Sequence, residues 1–274
     1  MKVHFLGTAA FEGIPSLFCR CELCRKAKQL GGPNIRTRTS VQIDDKLKID
    51  FPPDTYLHML RDGLDLENVK DLILTHSHSD HLYPEDLVAR LPGYAQSAEH
   101  TIHMYGHDLP LTSSARMLQL EGGAAGKFAF HRVQPFERTV LQGTSAAIVP
   151  LPASHAPLET CLLYYIEKEG KTILYGHDSG WFPESTIEWL KGRRLDLAIL
   201  ECTVGKSPHR TSHMNIDAVL ETKAWFEEAG VMNPGGKIAV THFSHNAGLL
   251  HEDLQAIFHP HGIIVAYDGM ILEL

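Results

Sequence analysis

The chain has 274 residues, enough for a substantial core in one large domain, and its formal net charge of −8 excludes a general nucleic-acid binder, which needs a basic face. A small phosphorylated substrate stays open, because bound metal ions dominate a local field. Five cysteines, three of them between positions 19 and 24, favour a metal clip over a disulfide framework. No apolar run approaches a membrane span, and Met1–Gly7 lacks a signal peptide's long apolar region, so a cytoplasmic protein without membrane partners is expected.

Val3 to Ala10 reads as a first strand running into a turn of small residues that lets backbone approach closely. Cys19-Arg20-Cys21-Glu22-Leu23-Cys24 follows, ahead of a short helix near Arg25. Three thiolates at this spacing converge on one tetrahedral zinc, with a fourth ligand supplied from elsewhere; the alternatives are reduced surface cysteines or a redox pair. Thr39–Asp44 and Lys46–Asp50 alternate as strands around an Asp-Asp turn, and Asp54 to Leu60 reads as a helix capped by Asp54.

Val69 to Leu74 reads as a short buried strand that delivers Thr75-His76-Ser77-His78-Ser79-Asp80-His81, and Pro84 to Leu91 as a helix with proline in its first turn. Three imidazoles and a carboxylate this close repel or crowd one another unless positive charge sits among them. The end of a strand is also where open sheets flanked by helices place their chemistry. Two metal ions are the economical explanation. A histidine tract judged on composition alone would be a surface accident, but this one is internal, spaced His-x-His-x-Asp-His and preceded by a strand.

Thr101–Gly106 reads as a strand, Pro110–Gln119 as a helix, and Glu121–Lys127 as a glycine-rich connection without a P-loop pattern. His103, His107 and His131 read as structural. A strand from Ala146 ends on His155, and a hairpin of Cys161–Ile166 with Lys171–Tyr175 delivers Gly176-His177-Asp178. Leu195–Cys202 is a buried strand; the loop Ser207–His213 leads into a helix over Asn215–Gly230. Lys237–His242 is a further strand, and Ile263–Met270 closes the sheet with Asp268 as a turn residue. Without repeats or a second domain, residues 1–274 form a single domain carrying a small clip at 19–24. The residues alone predict a mixed α and β chain with metal at a strand end.

The His-x-His-x-Asp-His run and the strand-then-histidine and strand-then-aspartate segments resemble the metallo-β-lactamase superfamily over nearly the whole chain. The resemblance implies an αββα sandwich, two mixed sheets packed face to face with helices outside. It implies that His76, His78 and His155 share one ion, that Asp80, His81 and His242 hold the other, and that Asp178 bridges them. Asp50 is implied to orient a metal-bound histidine from behind. The cysteine cluster is similar to that of the PhnP phosphodiesterases of phosphonate breakdown and the PqqB proteins of quinone-cofactor synthesis. In the PhnP type the fourth zinc ligand lies three positions after the last active-site histidine, which here implies a structural zinc on Cys19, Cys21, Cys24 and His245. His213 matches the PhnP-type histidine over the substrate, implied to give a proton or hydrogen bond to the leaving oxygen from a pKa near neutrality. His177 is expected to be a neighbour, and Glu201 a position that carries an acidic residue in relatives.

The resemblance therefore implies a dinuclear phosphodiesterase in which a hydroxide bridging two ions opens a small cyclic phosphate, a ribosyl 1,2-cyclic phosphate or a 2′,3′-cyclic nucleotide. Zinc, manganese or iron would serve at the active site, and zinc in the clip. The alternatives are a lactone or thioester hydrolase with the same centre, or a PqqB-like protein that binds without hydrolysis. A small phosphorylated substrate, no nucleic-acid polymer and a homodimer are the expected partners, with pocket walls from 12–18, 92–135 and 203–213.

Overall fold

The computed structural model describes residues 1–96, 99–124 and 126–274; Ala125, within the glycine-rich connection, and Ser97 and Ala98 lie outside the described residues. The first half of the chain contains β1 (Lys2–Gly7), α1 (Glu22–Leu30), β2 (Ser40–Ile43), β3 (Leu47–Ile49), α2 (Thr55–Asp62), β4 (Asp71–Ile73), β5 (Ile102–Gly106), α3 (Asp108–Leu120) and β6 (Phe128–Arg132). The second contains β7 (Thr139–Val140), β8 (Ala147–Pro152), β9 (Leu162–Lys168), β10 (Lys171–Gly176), α4 (Glu184–Leu190), β11 (Leu195–Glu201), α5 (Ile216–Glu228), β12 (Met232–Thr241), α6 (His251–Phe258), β13 (Ile263–Val265) and β14 (Met270–Glu273).

Two seven-stranded sheets result, in the orders β14-β1-β2-β3-β4-β5-β6 and β13-β12-β11-β10-β9-β8-β7. Both are mixed. Each is antiparallel at one end and parallel over its last strands, β3 to β6 in one sheet and β10 to β13 in the other. Period-two alternation explains why the sheets stack. Along β11, Leu197 and Ile199 face the first sheet, packing with Ile43, Ile49 and Ile73, while Ala198 and Leu200 face the helices. Burying both faces of both sheets produces the αββα layering expected from the sequence.

Several local readings change. Pro84–Arg90 is a 3-10 helix rather than an α-helix. Asp54 does not cap α2 with its side chain; it pairs with Arg38, whose backbone N–H and guanidinium both donate to it. The closing stretch 263–270 serves both sheets, because β13 pairs with β12 while β14 pairs with β1. Asp268 is more than a turn residue. Its carboxylate accepts from the Thr8 and Thr37 hydroxyls at 2.7 and 2.6 Å and from Arg61 at 3.0 Å, tying β1 to the end of the chain. Among the described residues no helix is long and apolar enough to cross a membrane.

The layers place the site. The C-terminal ends of β3, β4, β10, β11 and β12 lie along one edge of the sandwich, and each loop they release carries a residue of the site within its first three positions: Asp50, His76, Asp178, Thr203 and His242.

Candidate metal centre

Three of these loop residues hold backbone that L-residues rarely adopt. Asp50, Asp178 and His242 have φ of 61°, 45° and 57°. Strain of this kind costs on the order of 1–3 kcal/mol per residue and persists where the surroundings over-determine it. Here the surroundings are packed β-strands, and the left-handed turn re-aims each side chain toward the gap between the sheets.

The loop 75–81 is fixed by hydrogen bonds to its own neighbours. Asp50 accepts from the Thr75 N–H at 2.9 Å and from His81 Nδ1–H at 2.7 Å. Glu159 accepts from the backbone and hydroxyl of Ser77, at 3.0 and 2.9 Å. Because His81 spends Nδ1 on Asp50, its Nε2 is left to face inward. Asp50 thus stands where the resemblance put it, behind a candidate ligand. We expect Asp50→Ala to weaken metal retention about 10–100-fold, read by competition with a chelator, while the fold persists. Unchanged retention would remove this role.

Two candidate ligand groups form and share one residue. His76, His78, His155 and Asp178 bring ligand atoms within 4.8 Å of one another, as do Asp80, His81, Asp178 and His242. Asp178 Oδ2 lies 2.9 Å from His81 Nε2 and 3.5 Å from His76 Nε2, while Oδ1 lies 3.1 Å from His242 Nδ1. Asp80 Oδ2 is 3.5 Å from His242 Nε2. All seven residues named from the sequence meet at one place.

The chemistry of this donor set fits divalent ions. His76 Nε2 and His242 Nε2 are fully buried without a hydrogen-bond partner, although such groups are normally paired. Burial lowers His81's affinity for a proton, but the carboxylates of Asp178, Asp80 and Asp50 outweigh it and lift its pKa well above the usual value. The pocket is built to hold positive charge. Nitrogen and oxygen donors of this kind suit zinc, manganese or iron.

Over this group stands His213, and here the sequence reading missed its partner. His213 Nδ1–H donates to Glu201 Oε1 at 2.8 Å; the other Glu201 oxygen accepts from the N–H of Thr203, whose hydroxyl reaches His242 Nδ1 at 2.7 Å. Burial pulls the His213 pKa down, but the charge and hydrogen bond of Glu201 raise it to about 9, above the near-neutral value expected. The loop carrying His213 is pressed against the centre because Gly180 has no side chain: a Cβ there would sit 2.2 Å from Thr211 O. His155 Nδ1–H donates to Ser212 O at 3.1 Å, closing the same contact. His177 is a neighbour, its ring stacked on Tyr175 at 4.3 Å.

The centre opens into a cavity of about 720 Å³. Of the expected walls, 203–213 contributes and 12–18 contributes only Glu12, while 13–18 and the described part of 92–135 do not. That segment folds as β5, α3 and β6 at the far edge of the first sheet. Its place in the wall is taken by Ser244, Asn246 and Ala247.

A separate group brings Cys19, Cys21, Cys24 and His245 together, again with ligand atoms within 4.8 Å. Cys21 caps α1, and the Cys24 N–H lowers its pKa to about 6, while burial pushes Cys24 up to about 11. Three thiolates and an imidazole at one point fit tetrahedral zinc. We expect a Cys21→Ser, Cys24→Ser double variant to lose one zinc per chain by elemental analysis. We expect its Tm to fall roughly 5–10 °C, about 2–4 kcal/mol, with the other metals retained. An unchanged zinc content would contradict the clip.

A family model described as "Beta-lactamase superfamily domain" matches residues 52–243. Among solved structures, the chain is similar to a diphosphatase from the PhnP family, at 26% identity with a TM-score of 0.76 over 100% of this chain and 97% of that one. Zinc-bound PqqB from Methylobacterium extorquens superposes with a TM-score of 0.79 over the whole of both chains; at 18% identity this shows the fold alone. Among curated proteins, an octanoyltransferase of Porphyromonas gingivalis is 27% identical over 98% of this chain. The chain spans about half the length of that relative, 51% of it.

Proposed function

The chain belongs to the beta-lactamase superfamily, and on that premise we propose that it is a metal-dependent phosphoric diester hydrolase acting on a small cyclic phosphate. The observation that carries the reading is the pairing of two ligand groups through Asp178 beneath the Glu201–His213 pair. His76, His78 and His155 would hold one ion and Asp80, His81 and His242 the other. Such ions, when bound, polarise the phosphoryl group and make water a competent nucleophile near neutral pH. The chain's own residues do the rest. His213 stands ready, protonated and held by Glu201, to give its proton to the departing oxygen. Thr203 couples that pair to His242, fixing the ring that faces the centre. The PhnP-family diphosphatase supports phosphoryl chemistry and adds phosphoric anhydrides to the candidates.

The test is opening of adenosine 2′,3′-cyclic phosphate and 5-phosphoribosyl 1,2-cyclic phosphate by metal-reconstituted protein, followed by phosphorus NMR. We expect conversion of at least one to a monoester, abolished by chelator and restored by metal. A folded, fully metallated protein that opens neither and cleaves no anhydride would remove the reading. Hydrolysis of an acyl ester or thioester at the same centre is the second reading, favoured by the octanoyltransferase relative. The chain spans only about half of that relative, so acyl substrates rank behind phosphoryl ones.

A further inference from the structure

The wall of the active-site cavity differs in charge from its floor. It is formed by Phe11, Glu12, Val204, Ser207, Ser244 and Asn246, and among the described residues no lysine or arginine lines it. The cations nearest in sequence are engaged or outside. Arg38 Nε–H donates to the Phe11 carbonyl at 2.9 Å and its guanidinium pairs with Asp54, while Lys206, next to Ser207, is exposed and not part of the wall. Apart from His213, whose ring is paired with Glu201, the charged side chain above the floor among the described residues is a carboxylate, Glu12. It is held in place, accepting from the Ser244 hydroxyl and from the Asn246 amide at 3.4 Å, and lies 3.7 Å from His245 Nε2. The cysteine clip therefore shares a residue's surroundings with the substrate cavity, and the side chain that links them is negative.

We infer that this cavity selects phosphodiesters whose only charge is on the reacting phosphorus, carried on a neutral group rich in hydroxyls or rings. The inference rests on the hydrolase reading and narrows its substrate class to the type of a nucleoside 2′,3′-cyclic phosphate, against sugars that carry a second phosphate. The reasoning is electrostatic and spatial. A second phosphate, beyond the reach of the His213–Glu201 pair at the reacting centre, would sit in a partly enclosed space with no lysine or arginine to meet it and with Glu12 opposing it, a like-charge arrangement that penalises the wrong ligand more than it rewards the right one. A neutral remainder meets no such penalty. Glu12, Ser207 and Ser244 offer oxygens to its hydroxyls, and the Phe11 ring, 60% exposed, offers a face for a base to stack on. The cavity volume of about 720 Å³ leaves room for a nucleoside beyond the phosphate.

The experiment compares two pairs of compounds differing by one phosphate, on the metal-loaded full chain. Turnover is measured on adenosine 2′,3′-cyclic phosphate and its 5′-phosphorylated form. Binding is measured by calorimetry on adenosine 3′-phosphate and adenosine 3′,5′-bisphosphate. We expect kcat/KM to fall about 10-fold or more on adding the 5′-phosphate, and the bisphosphate to bind more weakly than the monophosphate. In Glu12→Gln, which keeps the shape and the contact to Ser244, the discrimination should shrink several-fold. Equal or better turnover and tighter binding with the second phosphate would overturn the inference, and an unchanged ratio in Glu12→Gln would overturn the assignment to Glu12. Should no diester be opened at all, the hydrolase reading falls, and the calorimetric pair alone decides the charge rule.

Discussion

Asp178→Ala is expected to abolish diester hydrolysis, by at least roughly 10³-fold, and to empty the centre of at least one metal ion. No other side chain belongs to both ligand groups, and its two oxygens face different histidines, His81 and His242. It is buried, at 2% exposure, and its backbone is held at φ 45°, so no neighbour is free to substitute. Burial raises the cost of its charge, but His242 and His81 outweigh that cost and hold the carboxyl well below its usual pKa; the anion is part of the folded site. Removing it leaves His76, His78 and His155 with no carboxylate to balance an ion, and the other group with Asp80 alone. Elemental analysis and activity are measured together, with circular dichroism to confirm the fold. Asp178→Asn serves as the milder variant, keeping the shape and losing the charge. Retention of both ions with full activity in either variant would contradict the shared-ligand account.

His213→Ala is expected to lower kcat on a cyclic nucleotide by about 10²–10⁴-fold with a smaller change in KM, the range for loss of a positioned proton donor. The loss should depend on the leaving group. An alkoxide needs the proton, whereas 4-nitrophenolate does not, so hydrolysis of bis(4-nitrophenyl) phosphate should suffer far less. The pH dependence follows from the sign of the shift. With Glu201 raising its pKa to about 9, His213 is protonated below that value and loses the proton as pH rises through it, so activity on alkoxide substrates falls on the alkaline side. Bound cations pull this limb below 9. Glu201→Gln removes the raising charge and should move it lower still. Equal losses on both substrate types in His213→Ala would contradict a proton-donating role.

What was legible in the chain had a local signature. Leu195–Glu201 is a largely apolar run buried on both faces of its sheet, and the His-x-His-x-Asp-His run announces ligands without reference to distant residues. The three later candidate ligands, His155, Asp178 and His242, each follow a strand that periodicity identifies, so a resemblance at one motif extended to the rest. What could not be read depends on chain segments far apart. Glu201 lies twelve positions before His213, and only the returning loop pinned at Gly180 makes them partners. Glu12 and Ser244 are 232 positions apart and meet because β1 is followed by a turn that pairs Ala10 with Phe243. Gly7 allows a separate close approach, of β1 to the backbone of Thr37 and Arg38, where a Cβ would lie 1.9 Å from Arg38 O. Asp54 shows the opposite case: its position reads as a cap, yet a long-range pairing with Arg38 takes its oxygens.

The most direct test of the central claim is anomalous diffraction from crystals of the metal-reconstituted protein. Two ions about 3.5–4 Å apart are expected, one on His76, His78 and His155, the other on Asp80, His81 and His242, with Asp178 touching both. A single ion, or none, at these residues in crystals of an active, metal-reconstituted preparation would contradict it.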